Sequence, residues 1–200
     1  MNDLLAKVLE AHGGLHRWKH FNKIQVKMVS RGKLFELPDD PLDPSRDASP
    51  SRNSPLEMTI DLHKQHALIQ PFGASNGYAM WTSLTAPFFL SMPGISVMEI
   101  EPWRENDLLW RGLSVAFPPD LVSNSSIQDF YFGSDYLLRR HDCTMHAAGA
   151  LDTVQYVFDR VEVNGIQLPM KRRIFRRGAD GRPVWDELLG AVDLSDLRFF

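Results

Sequence analysis

The strongest constraint on the fold is a series of tight turns between alternating segments in the second half of the chain. Residues 127–143 read IQDFYFGSDYLLRRHDC, in which two extended segments flank a turn at 133–135. Further turns are expected at Asn164-Gly165 and Asp180-Gly181, because these dipeptides supply the positive φ angles that tight hairpins need. From about residue 96 the sequence therefore predicts a meander of antiparallel strands, without the βαβ alternation of a parallel sheet.

The first hundred residues add a helix and more strands. Apolar residues at positions 4, 5, 8 and 9 share one side of a short helix, which Asn2 or Asp3 can cap and Gly13-Gly14 ends. Apolar and polar residues then alternate at 24–28 and at 56–62, which is typical of half-buried strands. The chain is thus predicted to be mainly β, of the α+β class, with an N-terminal helix on an antiparallel sheet.

The composition indicates a single domain over residues 1–200. Hydrophobic residues make up 44% of the 200, which is enough for one sizeable core. Prolines are frequent at 38–55 and apolar side chains are almost lacking there, so we expect a mobile loop inside the domain. A net charge of −3 argues against nucleic acid as the main partner.

Location and cofactors are constrained by what the sequence lacks. Cys143 is the single cysteine, so nothing requires an oxidising compartment. Asp3 stands where an export signal would be basic, and no segment approaches the ~20 apolar residues of a membrane span. We therefore expect a cytoplasmic protein without a membrane span. No phosphate-binding or nucleophile motif is present, and no cofactor is expected.

Residues 77–94 read GYAMWTSLTAPFFLSMPG, an aromatic stretch without a single charge. The spacing predicts a helix from about residue 78 to 85, and a bend at the following proline that turns the next residues onto the sheet. One interpretation is a helical lid or plug whose aromatic residues line a cavity for a lipophilic molecule. These residues are Tyr78, Trp81, Phe88 and Phe89. The other interpretation is that they complete the core. A strongly curved sheet favours the cavity, because one short helix fills its concave face incompletely.

The densest polar cluster lies in the predicted strand 137–144, LLRRHDCT. Alternation places Arg139 and His141 on one face and Arg140 and Asp142 on the other. If the first pair faces inward, it could bind a carboxylate head group or transfer protons. The opposite assignment would put Arg140 and Asp142 inside, and a charged strand facing solvent is the third interpretation.

Catalysis would need titratable groups that project into the same hollow. Glu99 could serve as a general base if it were buried, with Tyr131 and His141 as further weak candidates for catalytic residues. No metal site is expected, because His63 and His66 would face opposite sides of a strand.

A basic run, KRRIFRR, occupies residues 171–177. It alternates about a strand, with Arg172 and Arg176 on one side. We interpret it as a solvated edge strand, where charges protect against aggregation. The alternative is a rim for an anionic ligand.

Four passages together resemble a known group. VLEAHGGLHRW at 8–18, FYFGSDYLLRRHD at 130–142, YVFDRVEVNGIQLP at 156–169 and MKRRIF at 170–175 are similar to a widespread group of uncharacterised bacterial proteins. That group looks related to the lipoprotein-carrier (LolA/LolB-like) superfamily. The resemblance covers roughly residues 4–30 and 77–199.

The resemblance implies an unclosed, strongly bent antiparallel sheet, a half-barrel, with helices over its hollow. In the carriers that hollow holds acyl chains, so the preferred function is binding of a lipophilic or amphipathic small molecule. The expected ligand-binding residues are the aromatic four of the 77–94 segment, with Arg139 or His141 at a polar head. Two alternatives are an isomerase-like or cyclase-like enzyme acting on a hydrophobic substrate, and an interaction subunit that receives a partner segment. A homodimer is also compatible with the sequence.

Overall fold

The computed structural model describes residues 2–35, 55–64, 67–69 and 74–200. Within these residues, ten strands form one antiparallel sheet that is not closed into a barrel. The predicted half-barrel with small helices is therefore confirmed. The proline-rich loop predicted at 38–55 lies, except for its last residue, outside the described residues.

The strand order is β3-β2-β1-β10-β9-β8-β7-β6-β5-β4. The strands are β1 (Lys23–Arg31), β2 (Leu56–Asp61), β3 (Ala67–Ile69), β4 (Ser96–Glu105), β5 (Leu108–Ala116), β6 (Ile127–Phe132), β7 (Leu138–Met145), β8 (Leu151–Val163), β9 (Ile166–Arg177) and β10 (Pro183–Phe199). From β4 to β10 each strand pairs with the next in sequence, which is the predicted meander. The long last strand then pairs with β1, so the N-terminal strands extend the sheet at that side.

The turns between the strands have the backbone geometry that their residues predict. Asn164 and Gly165 both have positive φ, of 54° and 77°, in the tight turn between β8 and β9. Asn106 has a φ of 53° between β4 and β5. These local angles direct the chain back on itself, so neighbouring strands pair without long connections.

Three helices lie against the sheet: α1 (Asp3–Ala11), α2 (Leu15–Trp18) and α3 (Ala74–Thr85). The side chain of Asn2 caps α1 by accepting hydrogen bonds from the backbone N–H groups of Leu4 and Leu5. A short 3-10 turn at Phe88–Ser91 follows α3 after the bend at Pro87. The predicted helix is thus present, and it begins four residues earlier than expected.

The main core fills the concave face of the sheet beneath these helices. Its fully buried members come from both the helices and the inner faces of the strands. They include Leu4, Val8, Ile24, Val26, Met58, Ile60, Trp81, Leu84, Leu113, Val115, Phe132 and Ile166. A smaller cluster covers part of the convex face, with Trp110, Tyr131, Val154, Tyr156 and Phe175. The sheet therefore buries apolar side chains on both faces.

Gly13 is where α1 meets the β8–β9 turn. It has a φ of +116°, and a Cβ there would lie 2.2 Å from the backbone oxygen of Gly165. We expect Gly13→Ala to lower the free energy of unfolding by about 2 kcal/mol or more, because both the backbone angle and the contact exclude a side chain. Urea unfolding followed by circular dichroism measures this loss.

Gly149 offers a matched control for the Gly13 substitution. It also has a positive φ, of 76°, but no atom lies within 4 Å of an added Cβ. Gly149→Ala should therefore cost only about 1 kcal/mol, the penalty of the backbone angle alone. Equal losses at the two positions would contradict the close approach of α1 to the turn.

Candidate functional site

Strand β7 places His141 and Cys143 on the concave face and Arg140 and Asp142 on the convex face. The register shows this directly, because His141 pairs with Phe130 of the main core while Arg140 pairs with Tyr131 of the convex cluster. An irregularity between β6 and β7 leaves Arg139 without an opposite residue. Its guanidinium forms an ion pair with Asp135, and the side chain keeps 26% of its exposed area.

Polar side chains gather around His141 inside the apolar hollow. The ring is parallel to that of Phe130, 4.2 Å away, and its Nε2 lies 2.7 Å from the amide oxygen of Gln128. The thiol of Cys143 lies 3.5 Å from the hydroxyl of Thr153, whose oxygen donates to the backbone carbonyl of Cys143. The amide nitrogens of Asn124 and Gln155 approach the same sulfur at 3.8 and 3.7 Å. We call this group, together with Arg172, the interior polar cluster.

Arg172 enters the hollow from β9. Its cross-strand neighbours are Val157 and Val192, both in the main core, and only 3% of the residue is exposed. One guanidinium nitrogen, Nη2, donates to the backbone oxygen of Ser83 in α3 at 2.6 Å. Among the described residues, Nε and Nη1 have no hydrogen-bond acceptor.

Burial dominates the electrostatics of the interior polar cluster. Desolvation, with a smaller effect from Arg172, lowers the pKa of His141 to about 3, so the ring is neutral at pH 7. Desolvation also lowers the pKa of Arg172 to about 10, with Arg160 acting in the same direction. The same cause raises the pKa of the Cys143 thiol, which is therefore not a ready nucleophile. At neutral pH the cluster carries one buried cation.

The four aromatic residues predicted to line a cavity lie above this cluster. Trp81, Phe88 and Phe89 are buried, and Tyr78 is half-buried. Phe89 contacts the rings of Trp81, Phe117 and Phe130, with centroids 5.5–5.9 Å apart. Trp18 stacks on Phe88 at 4.2 Å. In this structure Trp81, Phe88 and Phe89 therefore belong to the core, and Tyr78 lies at its margin.

A small, partly open pocket of about 10 Å³ lies beside His12, Leu138 and Val157. That volume is about the minimum that a water molecule needs. A lipophilic guest therefore does not fit in this space in the conformation described.

The three candidate catalytic residues do not converge. Glu99 shares the concave face with His141, but β5 and β6 lie between their strands, and three strand spacings correspond to about 14 Å. It forms an ion pair with Arg111, and 38% of its side chain is exposed. Tyr131 projects from the opposite face. In this structure the three side chains therefore do not form an acid–base arrangement.

Arg140 and Asp142, the alternative inward pair, form a buried ion pair on the convex face. Two guanidinium nitrogens of Arg140 donate to the two carboxylate oxygens at 2.6 Å each, and a third bond reaches the backbone oxygen of Gly181. The guanidinium carbon lies 4.0 Å from the centre of the Trp103 ring. These contacts indicate a structural role for the pair.

The fold of this chain is similar to those of proteins whose structures have been solved. A LolA superfamily protein from Nitrosomonas europaea matches with a TM-score of 0.54 and 8% identity, over 98% of this chain and 92% of that chain. This chain has the LolA-like fold. The resemblance noted in the sequence is thus confirmed at the level of the fold.

Two further solved structures align with the LolA-like chain over 98% of its length, each with a TM-score of 0.48. One is a putative outer membrane lipoprotein-sorting protein domain from Vibrio parahaemolyticus, 11% identical, with 91% of that chain covered. The other is a DUF1329 family protein from Desulfovibrio piger, 8% identical, also with 91% covered. No family model and no curated protein matches the sequence.

Within the described residues, no group of three or more histidine, cysteine or acidic side chains could hold a metal ion. His63 contacts the backbone oxygen of Phe21, and His66 lies outside the described residues. None of the helices in the described ranges has the length and apolarity needed to cross a bilayer.

Sequence reasoning missed Arg172, because we interpreted the 171–177 run as an edge strand. In the LolA-like sheet β9 lies between β8 and β10, so the edge assignment is wrong. A signal was available: Ile166, Leu168, Met170 and Ile174 alternate along β9, and Arg172 occupies the one inward position of that series that is not apolar. The same pattern in β8, with Gln155 before Val157, marks a second polar residue in the hollow.

Proposed function

We propose that this chain binds an amphipathic lipophile in the hollow of the half-barrel, beneath α3. The supporting observation is the interior polar cluster, which is set into an otherwise apolar concave face. Arg172, Gln155 and His141 are each no more than 4% exposed, yet they are surrounded by core residues. An interior with one polar end matches a molecule that has an apolar body and a polar head.

The guest would occupy the volume that α3 and the following turn now fill. Trp81 and Phe89 are the large side chains in that volume. Because they leave no room for an acyl chain, binding requires α3 to withdraw from the sheet, so the segment acts as a lid. Burial of the apolar surface of the guest, worth about 25 cal/mol per Å², would then offset the free energy that is lost when α3 exposes its own apolar surface.

Side-chain hydrogen bonds attach α3 to its surroundings at three places. The indole nitrogen of Trp81 donates to the backbone oxygen of Asp61, and the Tyr78 hydroxyl donates to the Asn124 side-chain oxygen. The third is the bond from Arg172 to Ser83. The two neutral bonds contribute about 1 kcal/mol net each and the bond from the guanidinium about 1.5–3 kcal/mol, which a bound lipophile can offset. The four predicted aromatic residues would line the opened hollow.

Native mass spectrometry of the purified chain tests the proposal. We expect a co-purified lipophile that is removed by solvent extraction, and one-to-one rebinding of hexadecanol or palmitate by the refolded protein. Hydrogen exchange should show faster exchange of the α3 amides in the loaded state, because α3 leaves the sheet. Absence of both a co-purified lipophile and any rebinding would contradict the proposed function.

A further inference from the structure

Arg172 is a buried cation, and among the described residues no carboxylate forms an ion pair with it. Burial and the nearby Arg160 both lower its pKa, to about 10. The one hydrogen bond that it makes within the described ranges is from Nη2 to the Ser83 backbone oxygen. Arg140, on the other face of the sheet, has Asp142 as a bidentate partner. Taking a cation out of water without an opposite charge is costly, so proteins normally bury such groups as pairs.

Other donors near Arg172 also lack strong acceptors. Gln155 lies diagonally across from it in the β8–β9 register, and its amide nitrogen has only the Cys143 sulfur, 3.7 Å away. The Asn124 amide nitrogen has the same sulfur at 3.8 Å. Thioether and thiol sulfurs are weak acceptors. The interior polar cluster therefore has more hydrogen-bond donors than acceptors, and a net positive charge.

We infer that Arg172 binds the carboxylate of a long-chain fatty acid, whose acyl chain fills the hollow. This inference rests on the proposed function and specifies its ligand class. A carboxylate is a monoanion with acceptor oxygens only, so it neutralises the one buried cation and satisfies the surplus donors. A phosphate monoester carries nearly two negative charges at pH 7, which a single arginine leaves partly uncompensated.

The guanidinium can receive a carboxylate with two parallel hydrogen bonds. Nη2 donates now to Ser83, and neither Nε nor Nη1 has an acceptor in the part of the chain that the structure describes. When α3 withdraws, the Ser83 carbonyl leaves and the carboxylate takes its place at Nη2 and at one of these two nitrogens. Arg172 thus binds the helix in the empty state and the head group in the loaded state.

The test compares palmitate with hexadecanol, which has the same chain length and no charge. Delipidated protein is titrated with each at pH 7.5, and binding is followed by native mass spectrometry and calorimetry. We expect palmitate to bind at least about ten-fold more tightly, because hydrogen bonds to charged groups are the stronger ones. Arg172→Met should remove this preference and keep the affinity for hexadecanol. Arg172→Lys should retain part of the preference, since lysine keeps the positive charge but cannot donate two parallel hydrogen bonds to a carboxylate.

Arg176→Met is the matched control, because Arg176 is on the same strand and pairs with Glu187 in solvent. It should leave the palmitate preference unchanged. Equal affinity of the unmodified protein for palmitate and hexadecanol would overturn the inference and leave the proposed function in place. Failure of both to bind would overturn the two together. Circular dichroism of the variants confirms folding. If Arg172→Met does not fold, the comparison rests on Arg172→Lys and on the unmodified protein, where equal affinities remain decisive.

Discussion

Replacing Asp142 with alanine is expected to lower the free energy of unfolding by about 3–5 kcal/mol. The reason is the state in which the substitution leaves Arg140, whose side chain is fully buried. Its two hydrogen bonds to Asp142 are lost, and the nearest remaining carboxylate oxygen belongs to Glu105 at 3.9 Å. Glu105 is already an acceptor for Trp103 and Tyr156, so it compensates the charge incompletely.

Urea unfolding monitored by tryptophan fluorescence measures the effect. Asp196→Ala is the control, because Asp196 forms an ion pair with Lys27 at 2.9 Å in which both side chains are about half exposed. That variant should lose no more than about 1 kcal/mol, because the ion pair is exposed and only the φ of 53° at Asp196 is less favourable for alanine. A double variant, Arg140→Met with Asp142→Leu, should recover most of the loss, since it removes both buried charges. An equally small loss of unfolding free energy in Asp142→Ala and Asp196→Ala would contradict this prediction, and it would mean that water solvates the Arg140 guanidinium.

Acidification from pH 6.5 to pH 4 is expected to destabilise the chain steeply. Burial lowers the pKa of His141 to about 3 and that of His12 to about 4, from an ordinary value of 6.5. Below pH 6.5 the unfolded chain takes up protons at both rings while the folded chain does not. The contribution of the two neutral rings to the free energy of unfolding is therefore fully present above pH 6.5. It decreases as the pH falls towards the folded pKa values, by up to about 1.4 kcal/mol per pH unit for each histidine.

The two rings favour the neutral form for different reasons. Nδ1 of His12 lies 2.8 Å from the Val8 carbonyl and donates to it, so Nε2 accepts from the backbone N–H of Leu138, and protonation of Nε2 would remove that bond. The ring of His141 is buried, and the charged group that acts on it is Arg172, so protonation would place a second cation beside the first.

A series of urea titrations between pH 4 and pH 7.5 gives the slope of the free energy of unfolding against pH. His141→Gln keeps a donor for Gln128 and removes the titrating ring, so it should reduce the slope by about half. His16→Gln is the control, because His16 is exposed at the surface of α2. An unchanged slope in His141→Gln would mean that its ring is protonated in the folded state.

Local signals in the sequence were sufficient for most of the fold. The spacing of apolar residues and the Asn2 cap predicted α1, the turn at 133–135 predicted the β6–β7 hairpin, and the Asn-Gly and Asp-Gly turns predicted the β8–β9 and β9–β10 hairpins. These features depend on φ preferences and on a period of two or 3.6, which neighbouring residues determine among themselves. The helix at 78–85 was predicted for the same reason, with its end at the bend before Pro87.

The candidate site was predicted less well. His141 was expected to face inward in one of two assignments, and it does, but its expected companion Arg139 pairs with Asp135 instead. A bulge caused this, and alternation along a strand does not reveal a bulge. The ligand-binding roles of the aromatic four and of His141 stay predictions, as does the ligand itself.

Arg172 illustrates which properties of a residue the local sequence pattern predicts and which depend on the tertiary structure. Alternation along residues 166–174 already separated two faces of a strand, because successive side chains must point to opposite sides. It could not tell which neighbours that strand would have, since strand order depends on contacts between residues far apart in the chain. Only the pairing of β9 with β8 and β10, under α3, turned a residue in a basic run into an isolated buried cation.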